Sequence, residues 1–223
     1  MPEALDAVSI AELQPRPGVY QLYEDDVLVY VGKADNSLPQ RLGKHRAKLQ
    51  GRLMVGSMAF TCLYVDEDLH AVAPERLLID RYKGNGLARW NYNGFGSNDP
   101  GKNRDETVFE EDHFDSMHPA NLGIEVNGIE VGEYALAELL KRLKSLLPYV
   151  FRYQSADFHN EIRITISDRR WTADGIFETI GEALGRANPE WRITALPGYV
   201  IMYPKPGPYP SAQKQYSSVA RQS

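Results

Sequence analysis

The chain has 223 residues, 43% hydrophobic and 25% charged, with a formal net charge of −5 at pH 7. Those proportions are ordinary for a soluble globular protein, and the length allows one large domain or two small ones with a real core. The single cysteine, Cys62, excludes an internal disulfide, and no apolar run is long enough to span a bilayer, because Lys141, Arg142 and Lys144 interrupt the most apolar helix. With no signal peptide at its start, the sequence is expected to work in a reducing cytoplasm.

Residues 1–16 carry an apolar rhythm (Leu5, Val8, Ile10, Leu13) that reads as a short helix or strand, ended by Pro15 and Pro17. Two runs rich in β-branched and aromatic residues follow, Gly18-Val19-Tyr20-Gln21-Leu22-Tyr23 and Val27-Leu28-Val29-Tyr30-Val31-Gly32-Lys33-Ala34. The acidic break Glu24-Asp25-Asp26 separates them, as in a β-hairpin. A helix is predicted next, with Ser37 as N-cap and Pro39 in its first turn. Leu38, Leu42 and Leu49 share one face, and Arg41 and His45 lie four apart on another. Two tyrosines, an arginine and a histidine therefore converge on one surface. Residues 41–52 hold Arg41, Lys44, His45, Arg46, Lys48 and Arg52 without a carboxylate, a local basic face on an acidic protein. An isolated basic run is usually a solvated helix surface; beside two tyrosines it reads as phosphate contact, with Lys33 added from the hairpin.

Residues 58–65 form a third strand candidate and residues 71–82 a second helix, with Pro74 and Glu75 in its first turn. Between 84 and 105 glycine, asparagine and proline dominate, so a loop is expected. It holds Trp90, Tyr92 and Phe95, which are costly to leave in solvent, and is expected to fold back on the site. Further along, His113 and His118 near Glu110-Glu111-Asp112 lack a third ligand at usable spacing and read as surface residues. Asn127-Gly128 marks a second hairpin. Residues 132–147 read as the clearest amphipathic helix, 161–167 as a strand, 173–187 as a helix, and 192–195 and 198–203 as strands. The last twenty residues, 204–223, are rich in Pro, Ser and Gln and read as a flexible arm.

Gly18-Val19-Tyr20 and Tyr30-Val31-Gly32, in order within one hairpin and followed by Arg41 and His45, resemble the paired motifs of the GIY-YIG nucleases, with valine for isoleucine in both. Glu75 and the stretch from Trp90-Asn91 to Lys102 are similar to the restriction-endonuclease branch. The resemblance covers roughly the first half of the chain. It implies, as the hairpin–helix–strand–helix order does by itself, a small α/β domain with a three-stranded sheet flanked by helices at residues 1–107; residues 108–203 read from their own pattern as an α+β region, so the whole is expected to be α/β (α+β). It also implies roles. Glu75 would be the metal ligand for Mg²⁺ or Mn²⁺, although a helix N-terminal carboxylate alone would merely complement the dipole. Arg41 would hold the scissile phosphate. Tyr20 would be general base or would orient the attacking water, with His45 as its partner, and Tyr30 would hydrogen-bond water or phosphate. Asn91, with Asn93 as a rival, would close the site, and Lys33, Lys44, Arg46, Lys48 and Arg52 would contact DNA.

The expected function is a sequence-specific, double-stranded DNA endonuclease of type II restriction kind. Cutting both strands at once calls for a homodimer, with the second half supplying base readout, dimer contacts or both. Two alternatives stay open: a less specific nuclease effector in phage defence or DNA repair, and an inactive DNA-binding module on the same scaffold.

Overall fold

A computed structural model describes residues 1–65, 86–96, 101–167, 171–204 and 207–216. The protein is a mixed α+β chain of two compact units, Met1–Asn98 with Asp112–Met117, and Asp99–Glu111 with His118–Ser223.

In the first unit the strands are β1 (Glu3–Ala4), β2 (Gly18–Glu24), β3 (Val27–Ala34) and β4 (Met58–Tyr64), in the antiparallel order β1-β4-β2-β3. The sheet has four strands where three were expected, the fourth a two-residue strand at its edge. Residues 1–16 supply both alternatives, since helix α1 (Ala7–Ala11) follows β1, capped by the Asp6 carboxylate on Ser9 N at 2.8 Å. Asp25 and Asp26 close the β2–β3 hairpin at φ 49° and 66°, the left-handed pair that matches the twist of adjoining strands. β2 alternates between buried and half-buried residues, and α2 (Leu38–Gln50) covers its buried face. Ser37 caps α2, accepting from Gln40 N at 3.4 Å, and Pro39 sits in the first turn, where no N–H is needed. Leu38, Leu42 and Leu49 are buried against Tyr20, Leu22, Val29 and Phe60. Among the described residues of the loop expected between 84 and 105 are two 3-10 turns, Arg89–Asn91, whose Trp90 is buried, and Lys102–Arg104. Helix α3 (Phe114–Met117) brings Phe114 to the same core, beside Trp90 and Phe95. The helix expected at 71–82, with Glu75, lies outside the described residues.

The second unit holds β5 (Gly132–Ala135), α4 (Leu136–Leu146), β6 (Val150–Tyr153), β7 (Arg163–Ile166), α5 (Ala173–Ala187), β8 (Trp191–Leu196), β9 (Tyr199–Pro204) and β10 (Lys214–Tyr216). One sheet runs β10-β8-β9-β6, with only the β6–β9 pair parallel; β5 and β7 form a separate antiparallel pair. Its core joins Leu139, Leu140 and Leu143 of α4 to Ile176, Phe177 and Ile180 of α5.

Three expectations are corrected here. The hairpin around Asn127-Gly128 does not form. Gly128 does turn, at φ +96°, but the flanking backbone is spent elsewhere: Val126 N donates to Trp171 O (2.9 Å), Ala173 N to Ile124 O (2.9 Å) and Asp174 N to Leu122 O (2.8 Å). The expected helix at 132–147 opens as strand β5, because Tyr134 faces Ile164 across the β5–β7 pair. Within the expected flexible arm, Lys214–Tyr216 is β10, and Tyr216 is buried. Gly181 of α5 permits that approach, since a Cβ there would stand 3.0 Å from the Tyr216 carbonyl. Among the described residues no helix is long and apolar enough to cross a membrane.

Candidate functional site

In the β2–β3 register Tyr20 lies opposite Gly32, and Leu22 opposite Tyr30. Both tyrosines therefore leave the sheet on the face that α2 covers, with ring centroids 6.1 Å apart. Gly32 is the residue that makes room for them. A Cβ there would clash with the Tyr20 hydroxyl and stand 2.5 Å from Tyr20 Cζ and 2.7 Å from Tyr30 Cε1. Gly18 plays a similar part for α2, since a Cβ there would lie 2.6 Å from Leu38 Cδ1. The glycines of the two motifs are thus steric requirements of helix and rings packed on the sheet.

From α2, one helical turn apart, come Arg41 and His45. His45 shares the buried side of the helix with the leucines rather than lying on a separate face. Its Nε2 is 2.6 Å from the Tyr20 hydroxyl, in a buried hydrogen bond, and Arg41 Nε donates to the same hydroxyl at 3.2 Å. Arg41 is also hydrogen-bonded to Tyr30. Burial, then the positive charges of Arg41 and Lys48, push the His45 pKa down from 6.5 to about 3. The imidazole is neutral at physiological pH. Phe95 stacks on it, with centroids 5.0 Å apart and planes at 22°, and meets Tyr30 edge-on at 5.1 Å. Phe95 and Trp90 do fold back, as expected of the loop, whereas Tyr92 is exposed.

Asn91 has both amide atoms committed to the β3 backbone: its Oδ1 accepts from Val31 N at 2.8 Å and its Nδ2 donates to Val31 O at 2.7 Å. It completes the hydrogen bonding of an edge strand and pins the 3-10 turn there, so it positions the loop instead of offering a group to the site. Asn93, the rival, retains a buried Oδ1 with no hydrogen-bond partner among the described residues.

The basic residues do not form the single face expected of them. Lys33, Arg41 and Lys44 line one polar cleft of about 290 Å³ with Asn36, Ser37 and Gln40, where Asp35 pairs with Lys33 at 3.0 Å. Arg46 lines a separate cleft beside Asp6 and Leu5, whose wall Arg52 also joins. Lys48 and Arg52 turn into the unit. Lys48 Nζ donates to the Phe95 carbonyl and lies over the Phe95 and Phe114 rings, at 4.9 and 5.3 Å from their centroids. Arg52 pairs with Asp115 at 2.8 Å, its side chain only 5% exposed. The i, i+4 step from Lys48 to Arg52 was visible in the sequence; the partners that draw them inward, Phe95, Phe114 and Asp115, lie 47 or more positions away.

Glu75 lies outside the described residues, and among the described residues no group of three or more His, Cys, Asp or Glu side chains is placed to hold a metal. His113 and His118 are buried or nearly so, not the surface residues expected. His113 Nδ1 accepts from Asp115 N at 3.0 Å, and His118 is 5% exposed. No protein-family model, curated protein or solved structure matches the chain.

Proposed function

We propose that the first unit is a metal-dependent DNA endonuclease of the GIY-YIG kind, and that the protein cuts double-stranded DNA sequence-specifically as a restriction enzyme does. The observation that carries the reading is the hydrogen-bonded line from Arg41 through the Tyr20 hydroxyl to a buried, neutral His45, with Tyr30 alongside. Phosphodiester hydrolysis needs a water held and relieved of its proton, and a cation on the phosphate oxygens. In this reading Arg41 holds the scissile phosphate, and Tyr20 orients the water through its hydroxyl oxygen, taking the water's proton only as its own O–H proton passes to His45 Nε2. Tyr30 hydrogen-bonds the water or the phosphate. An imidazolium at position 45 would face two cations, Arg41 and Lys48, so His45 serves as the acceptor that aims the Tyr20 O–H, not as the resident sink for its proton. A phosphate beside Arg41 would offset part of that positive field.

Two phenols, a guanidinium and a neutral imidazole suit an oxyanion and a water better than a hard cation. The ligand for Mg²⁺ or Mn²⁺ therefore rests on Glu75 alone. When bound, the ion would neutralise charge on the phosphate and the departing oxygen. Lys33 and Lys44, in the cleft that also contains Arg41, would take neighbouring phosphates.

The test is incubation of the purified protein with plasmid DNA and Mg²⁺, beside Tyr20→Phe, Glu75→Ala and a chelator control. Discrete fragments are expected, with Tyr20→Phe slowing cleavage by about 10²–10⁴-fold while DNA binding persists. A Glu75-dependent smear or nicked circles would replace the restriction reading with a less specific nuclease. Binding without cleavage under any divalent metal would leave a binding module.

A further inference from the structure

Lys48 belongs to the basic run and, with Arg41, is one of two of its cations that reach the surroundings of His45. Its side chain leaves α2 one turn beyond His45 and ends between two rings, with Nζ hydrogen-bonded to the Phe95 carbonyl. The Phe95 ring, in turn, lies nearly flat on the His45 imidazole and edge-on to Tyr30. Phe95 belongs to a loop also anchored by Ala88 N on Leu28 O, by the Arg89–Glu24 ion pair, by the Asn91 clasp on β3 and by Phe114 N on Asn93 O. Without the Lys48 contact the Phe95 carbonyl loses its cation and the ring loses a cation–π partner, while its packing on Trp90, Phe114 and Tyr30 remains.

We propose that Lys48 is a positioning residue for the Tyr20–His45 pair: by holding the Phe95 backbone and ring, it presses the ring onto the imidazole and keeps His45 Nε2 on the Tyr20 hydroxyl. The proposal rests on the nuclease reading for its functional meaning, but the geometry it concerns exists without DNA. Among the described residues, every titratable or charged group facing the imidazole has a place in it. Tyr20 comes from β2, Tyr30 from β3, and Arg41 and Lys48 from α2 itself. Arg52 and Asp115 act one step removed, on Lys48. Burial pulls the Lys48 pKa down to about 8, with Arg52 next in effect, so its charge is largely present at neutral pH and wanes above that value. This assigns Lys48 a role different from phosphate contact, and the two make opposite predictions.

The experiment follows the imidazole nitrogens of His45 by long-range ¹H–¹⁵N correlation in the full-length protein, with His45→Gln identifying its signals among the five histidines. Lys48→Met keeps the length and apolar stem while removing the ammonium; Phe95→Leu removes the ring and keeps the lysine; Lys48→Arg is the conservative control. Wild type is expected to show one neutral tautomer with an unprotonated Nε2 from pH 5 to 8. In Lys48→Met and in Phe95→Leu that single signature should be lost and the His45 titration should move back towards 6.5, whereas Lys48→Arg should retain it. DNA affinity of Lys48→Met should equal that of wild type. If cleavage is present, its acidic limb should move to higher pH and its rate at neutral pH should fall about tenfold. Unchanged His45 signals in a folded Lys48→Met protein would overturn the proposal, as would weaker DNA binding with a reduced salt slope and no change at His45. Failure of the nuclease reading is recognised separately, by a wild type that cuts nothing while the His45 signals still respond to Lys48.

Discussion

Tyr20, Gly32, His45 and Lys48 can each be tested by a single substitution. Gly32 is the sharpest case, because the two tyrosine rings occupy the space a side chain would need. Gly32→Ala is expected to destabilise the protein by about 1–3 kcal/mol, the range for overpacking a filled site. It should also loosen the Tyr20–His45 bond. Urea unfolding checks the first, and a Gly32→Ala protein as stable as wild type would show that the rings are not locked. The motif residues were legible in advance since each lies in a short run with its own local signal. The roles of Asn91 and Lys48 were not. An asparagine that spends both amide atoms on Val31, and a lysine that ends on Phe95, differ in no sequence property from an asparagine or lysine facing solvent.

Among the elements, β10 shows what local reading misses. Three residues in a Pro- and Ser-rich stretch carry too little pattern to predict a strand, but β8 offers an edge and α5 offers charge. Lys214 Nζ reaches Asp174 at 2.7 Å and Glu178 at 2.8 Å, and the Tyr216 hydroxyl donates to Asp174 at 2.6 Å. Lys214→Met is expected to cost about 1 kcal/mol, since the ion pairs are partly exposed and share one ammonium. Thermal unfolding should register that loss, while Glu178→Gln, which leaves the Asp174 bonds in place, should register little. Equal effects of the two substitutions would mean that Asp174 is not the anchor. α2 and α5 lie at the other extreme. Both begin where a side-chain cap stands, Ser37 and Thr172, and α5 spans the residues read for it, because caps and apolar periodicity are local signals.

For the molecule as a whole, loss of stability in acid is the property that both compact units share. His45 in the first has its pKa pushed below 6.5 by burial and neighbouring cations. Asp174 in the second would have a raised pKa from burial, but hydrogen bonds from Lys214 and Tyr216 and the lysine charge outweigh that and hold it below 3.8. In both cases the unfolded chain binds a proton at a pH where the folded chain refuses it, so stability falls as pH falls. For His45 the loss runs from 6.5 to about 3; for Asp174 it is confined to the acid side of the ordinary carboxylate value. His45→Gln should flatten the slope between pH 6.5 and 4, and Asp174→Asn the slope below it, as read by chemical denaturation at each pH. A wild-type curve that is level from pH 6.5 to 4 would contradict the buried, neutral state of His45. The amino-acid order alone determined the mixed α+β class, the β2–β3 hairpin, the span of α5 and the tyrosines, arginine and histidine of the candidate site, because turns, caps and periodicity act over a few residues. Pairing of 122–126 with 171–174, the docking of β10 and the inward turn of Lys48 and Arg52 depend on partners 19 or more positions away. Such contacts are chosen by which surfaces meet once the elements have formed, and no short window of sequence contains both sides of the choice.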